Sequence, residues 1–173
     1  MPVQTTYLDR AGLGYAGEIA DGGAAEVAPA FNTEAATSIP FGFAVARDNT
    51  APYGVSGNGA KLPASAGDVI YGLVRMSHAY SNSVNGDLDA VGLKPGAVMN
   101  VVRKGRIWAI CEDGCAPGAR LFVRYTAAGA GKGTCRATDA GGSTCLDVTT
   151  KGEWQTTASA LGLAILDLDC VSK

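Results

Sequence analysis

Ala97-Val98-Met99-Asn100-Val101-Val102-Arg103-Lys104-Gly105-Arg106-Ile107-Trp108-Ala109-Ile110-Cys111 is the stretch whose reading decides the fold. It holds two apolar runs, AVMNVV and RIWAIC, on either side of Lys104-Gly105. Short runs rich in β-branched and aromatic residues, parted by a glycine-bearing step, are a hairpin signal. The stretch therefore predicts two strands with a turn at Lys104-Gly105.

The same signal repeats outward from this centre. Gly14 to Ala20 alternates loosely and suits a first strand. Phe41, Phe43 and Val45 share one face of a period-two pattern, and Val69 to Val74 is a continuous apolar run. Leu121, Val123 and Tyr125 alternate with Arg120, Phe122 and Arg124. The closing segment, Ser159 to Asp169, reads as a strand because Gly162 and the ending Leu166-Asp167-Leu168-Asp169 oppose a helix. Residues 21–38, 77–90 and 127–144 are rich in Gly, Ala, Ser, Asn, Asp and Thr and read as loops. With 24 glycines and 7 prolines, the chain suits many short strands and turns. The expected fold class is all-β: a single β-barrel or jelly-roll-like domain over residues 14–173, preceded by an extended arm at residues 1–13 and carrying long loops.

Composition excludes several function classes. The chain is 47% hydrophobic and 17% charged, which fits neither a disordered nor a membrane-spanning protein. The net charge of −2 provides no basic face for nucleic acid, and Arg103, Lys104 and Arg106 read as a solvated strand end. The opening MPVQTTYLDR lacks a basic start followed by an apolar stretch, so folding in a cytoplasm is expected.

No catalytic constellation emerges. His78 is the one histidine and sits in a polar loop, so neither a Ser-His-Asp arrangement nor a multi-histidine metal centre can be assembled. Gly129 to Thr134 imitates a phosphate loop but has Thr126 and Gly133 where that motif needs Gly and Ser or Thr. Cys111 and Cys115 have the spacing of half a zinc site, but Cys135 and Cys145 are too far apart for the other half. Asp87 with Asp89, and Asp167 with Asp169, read as solvated strand faces rather than cation ligands. No metal and no cofactor are expected. Cys135 and Cys145 bracket a Gly-rich loop, and a disulfide there would stabilise by roughly 2–3 kcal/mol in the chain-entropy model. The alternative is five reduced thiols.

In order along the chain, Gly17-Glu18-Ile19-Ala20-Asp21, Ile39-Pro40-Phe41-Gly42-Phe43, Lys61-Leu62-Pro63 with Gly67-Asp68, Pro95-Gly96 before Val98–Val102, and Ala116-Pro117-Gly118 before Leu121–Tyr125 resemble the capsid cement (head-decoration) proteins of tailed bacteriophages. The cysteine-bearing excursion at 127–147 departs from that pattern. The resemblance implies a β-barrel on the exterior of the virion capsid. Such a protein is made in the host cytoplasm, clamps the major capsid protein, and associates with itself as a homotrimer rather than a dimer. No nucleic-acid or membrane partner is implied. The arm Pro2–Leu8 has extended propensity and no charge before Asp9. Val3, Thr5, Thr6, Tyr7 and Leu8 are its candidate contacts with capsid protein or a neighbouring copy. The competing reading is a carbohydrate- or receptor-binding module that stacks sugars on Tyr80, Trp108 and Trp154.

Overall fold

The computed structural model describes residues 14–21, 23–49, 58–77, 86–141 and 143–171. The expected arm, His78 and Tyr80 lie outside them. The described chain is all-β, with ten strands and a single 3₁₀ turn at Thr149–Lys151. In order these are β1 (Glu26–Asn32), β2 (Ala44–Asp48), β3 (Gly59–Lys61), β4 (Ile70–Val74), β5 (Val98–Cys111), β6 (Phe122–Arg124), β7 (Cys135–Arg136), β8 (Cys145–Asp147), β9 (Gly152–Trp154) and β10 (Gly162–Asp169).

The expected hairpin at Lys104-Gly105 is not there: residues 98–111 form one continuous strand. Neither apolar run needs the other as a partner. Val98 to Lys104 pairs with β1, and Lys104 to Cys111 pairs with β10. Gly105 adopts φ +110°, and a Cβ there would meet the Ala24 carbonyl oxygen at 3.0 Å and Ala25 Cα at 3.1 Å. The glycine thus serves a close approach of two chains rather than a reversal.

β1 corrects a second expectation, that of a loop over residues 21–38. Glu26-Val27-Ala28-Pro29-Ala30-Phe31-Asn32 is a poor strand former by composition. It is held by a six-pair antiparallel ladder to β5 and buries Ala30 and Asn32. Pro29 is tolerated because β3 joins the other edge of β1 only at Phe31 and Asn32. Tertiary pairing here overrides local propensity. The stretch 14–20 contributes a bridge from Ile19 to Ile107 rather than a full strand.

Pairings β1–β3, β3–β2, β2–β4, β4–β5 and β5–β1 close a five-stranded barrel. Its interior holds Ala30, Val45, Ala60, Leu62, Tyr71, Val74, Met99 and Val101. The second half of β5 leaves the barrel and carries the remaining strands, with β10 and β9 on one edge and β7, β6 and β8 on the other. A second core gathers Ile107, Ala109, Cys111, Leu121, Val123, Trp154, Ala164, Leu166 and Leu168 with Ala44, Ile70, Leu73 and Val102 from the barrel wall. All five β4 residues are buried because one face looks into the barrel and the other into this second core.

The two cores meet where β4 crosses β5. A Cβ on Gly72 would stand 2.2 Å from the Val102 carbonyl oxygen and 2.8 Å from a Val101 methyl. Gly72→Ala should therefore prise β4 from β5 and destabilise the protein by about 1–3 kcal/mol, as overpacking does. Urea unfolding of the variant beside the parent measures this, and unchanged stability would show that the two strands have slack there.

Candidate interaction surface

The loop after β5 and the excursion 127–147 are joined by an ionic cluster that sequence reading did not find. Glu112 is the hub. Its carboxylate accepts from Arg124 Nη2 at 2.7 Å and Nε at 2.9 Å, and from the Thr134 hydroxyl at 2.9 Å. Arg136 Nη1 stands 2.8 Å away. Arg136 also reaches Asp113 at 3.3 Å, while Asp113 accepts the backbone N–H groups of Ala137 and Thr138. The side chains of Arg124 and Glu112 are only 6% and 10% exposed. The partners are 12 to 25 positions apart, so no spacing rule links them. The one signal was the pair of arginines with acids on otherwise apolar strands.

Burial by itself would push the Glu112 carboxyl up. Hydrogen bonds from Arg124 and Thr134 and the charge of Arg136 outweigh it and hold the group below the usual carboxylate range. Asp113 is likewise lowered against burial, by Thr138, Ala137 and Arg136 among others.

All five cysteines are buried free thiols. Cys135 and Cys145 are not brought together. Cys135 pairs with Val123 on one edge of β6, and Cys145 pairs with Arg124 on the other. Two strand spacings, about 9–10 Å, separate them, whereas a disulfide needs Cα atoms about 4.4–6.8 Å apart. Burial pushes the Cys135 thiol up to about 12, with Cys170 beside it adding to the effect. Burial also raises Cys170, to about 11, against the charges of Lys151 and Arg103. Cys111 and Cys115 are raised by the same cause. Such thiols are neither nucleophiles nor ready ligands.

The other sequence candidates are absorbed by structure. Asp89 accepts the Ser38 hydroxyl and the N–H groups of Val91 and Gly92, which lowers its pKa. Asp167 and Asp169 pair with Arg106 and Lys104 on the surface. Among the described residues, no group of three or more His, Cys, Asp or Glu side chains is placed to hold a metal ion. Trp154 is fully buried, with its Nε1 donating to the Arg136 carbonyl at 3.3 Å, so it cannot stack on a sugar. Trp108 is half-buried on the outer face of the β5–β10 ladder.

The family model that matches the chain is that of the structural cement protein (E217 gp24/Pam3 gp6), over residues 3–169. A chain from a structure of the capsid of Myoviridae phage XM1 shares the fold, with a TM-score of 0.66 and 17% identity over 98% of each chain. No curated protein matches the sequence.

Two outcomes test the cluster and the thiols. Because Glu112 and Asp113 are held below their ordinary values, their stabilisation is complete above the unfolded carboxylate pKa. It should be lost as pH falls from about 5 to about 3. Glu112→Gln should destabilise at neutral pH by about 3–5 kcal/mol, because Arg124 and Arg136 lose their counter-charge. It should also flatten that acid dependence in urea titrations; an acid slope equal to the parent's would remove Glu112 from the account. Separately, the native protein kept without reductant should react slowly with a chromogenic thiol reagent and yield five thiols once unfolded. A count short by two would point to a bond such as Cys135–Cys145.

Proposed function

We propose that this chain, which belongs to the structural cement protein family of phages, decorates the outer surface of a phage head and holds neighbouring major capsid protein subunits together without catalysing a reaction. The match over residues 3–169 carries the reading. The fold supports it. The barrel closed through β1, β3, β2, β4 and β5 has no free edge of its own, which leaves loops, arms, side-chain faces and the strands outside the barrel for contact. Among the described residues, the thiols are buried and Glu112 and Asp113 are held in internal pairs.

The chain is then made in the host cytoplasm and ends on the capsid exterior. A protein that reinforces a shell gains from spanning several subunits, because linked weak contacts multiply. Closed symmetry supplies this, and a homotrimer is the arrangement proposed here in preference to a dimer. Nucleic acid and membrane are not partners in this reading.

Residues 2–10 are the proposed grappling element, with Val3, Thr5, Thr6, Tyr7 and Leu8 as its contacts. An uncharged, β-prone segment is inexpensive to desolvate and is suited to adding onto a sheet edge of another subunit. Deleting residues 2–10 should leave the barrel folded, seen by an unchanged thermal transition, and lower the fraction that pellets with empty heads. Undiminished pelleting would assign capsid binding to the folded body instead.

A further inference from the structure

Two β-bulges aim their extra residues at one place. On β4, Val45 faces Gly72 and Ala46 faces Ile70, so Tyr71 is the extra residue. On β5, Glu26 faces Lys104 and Val27 faces Val102, so Arg103 is the extra residue. A bulge turns a side chain out of the alternation of its strand. Arg103 is thereby withdrawn from the solvated strand end that its neighbours in sequence suggest. Its side chain is 21% exposed, against 55% for Lys104 and 50% for Arg106. Its guanidinium lies 5.1 Å from the centre of the Tyr71 ring, and that of Arg47, on β2, lies 4.9 Å from the same centre.

These three residues line an open cleft of about 460 Å³, with Asp68, Val69 and Cys170 around them. The positive charge in the cleft is only partly matched. Arg103 makes one ion pair, a single Nη1 contact at 3.0 Å with the half-exposed Glu26. Its Nε is buried with no acceptor. Arg47 is exposed and, its contact with the Tyr71 ring apart, makes no ion pair or side-chain hydrogen bond among the described residues. Asp68 is the one acid in the lining, and its own loop engages it: it accepts the N–H groups of Ala64 at 2.7 Å and Ser65 at 3.1 Å, and the Ser65 hydroxyl at 2.9 Å. The Tyr71 ring attracts both guanidinium groups but does not neutralise them.

We propose that this cleft receives an acidic side chain, Asp or Glu, of the shell protein on which the chain sits, with its carboxylate held by Arg47 and Arg103 and its methylene stem against Tyr71 and the exposed Val69. The planar fork of a guanidinium matches a carboxylate. A ring that already holds both forks leaves less freedom to be lost when the anion arrives. A protein carboxylate suits the cleft better than a nucleic-acid phosphate. A phosphate strand calls for a basic track, and the chain has a net charge of −2, whereas the cleft sets two cations beside exposed apolar surface. The inference rests on the cement reading for the neighbour's being a shell protein.

Pelleting with empty heads, followed by carbodiimide cross-linking, tests this. Arg47→Glu should keep the parent's thermal transition, since the side chain is exposed, and lower the fraction retained on heads several-fold. Lys132→Glu makes the same charge change on the excursion 127–147 and should leave retention as it was. Arg47→Lys puts a primary amine in the cleft. On heads, a water-soluble carbodiimide should condense that amine with the partner's carboxylate, with loss of water, and mass spectrometry should find position 47 joined to an Asp or Glu of the shell protein. Retention of Arg47→Glu equal to the parent's would overturn the inference and leave the cement reading standing. Equal losses in Arg47→Glu and Lys132→Glu would overturn it too, because overall charge would then account for both. So would a cross-link from position 47 to a second copy of the chain, or no cross-link there at all. A parent that heads do not retain would remove the cement reading and the inference together.

Discussion

β5 serves two hydrophobic cores with one strand, and the change of facing in its middle is the constraint on which the rest of the structure depends. Met99 and Val101 point into the barrel, whereas Ile107, Ala109 and Cys111 point into the second core. A period-two strand cannot make that change by alternation alone, because its residues keep to their faces. The register shift at Glu26/Val27, where Lys104 and Val102 are consecutive partners and Arg103 is the extra residue, supplies it. Gly105 follows at once and lets residues 24–25 lie close on the bend. The barrel can close around the first half of β5 only because the second half has turned away to build the other core.

The ionic cluster is the counterpart of that bend at the far end of the strand. β6, β7 and β8 are two or three residues long and pair along ladders too short to be stable alone. Glu112 and Asp113, one step beyond β5, bind Arg124 on β6, Arg136 on β7 and the backbone of Ala137 and Thr138. The excursion 127–147 is thus tied to the spine by charge and hydrogen bonds, with Cys111, Cys135 and Cys145 packed beneath as small apolar residues. A buried pair of this kind specifies geometry more than it adds stability.

Among the described residues, Glu112 and Asp113 are held in internal pairs, the five thiols are buried, and the five-stranded barrel closes on itself. What remains outward is shape: an apolar ladder face, charged ladder ends and a chain start led across Trp108.

The amino-acid sequence by itself determined the fold class. Gly-bearing apolar runs, period-two at Phe41–Val45 and continuous at Val69–Val74, with Leu161–Leu168 closing the chain, leave few alternatives to strands, and they became β2, β4 and β10 within a residue or three. The order of short motifs was also enough to indicate the family, since each marks a turn or strand whose position along the chain is local information. The sequence misled where a decision was not local. Lys104-Gly105 reads as a turn to its neighbours, yet β1 and β10 decide that it is a bend in one strand. Glu26–Asn32 reads as a loop, yet β5 makes it a strand. Cys135 and Cys145 read as the two ends of one loop, yet β6 runs between them. Glu112, Arg124 and Arg136 follow no spacing that would join them before folding. Pairing partners and buried charges come from segments tens of residues apart, and only the folded chain, by paying the entropy of closing those loops, brings them within reach.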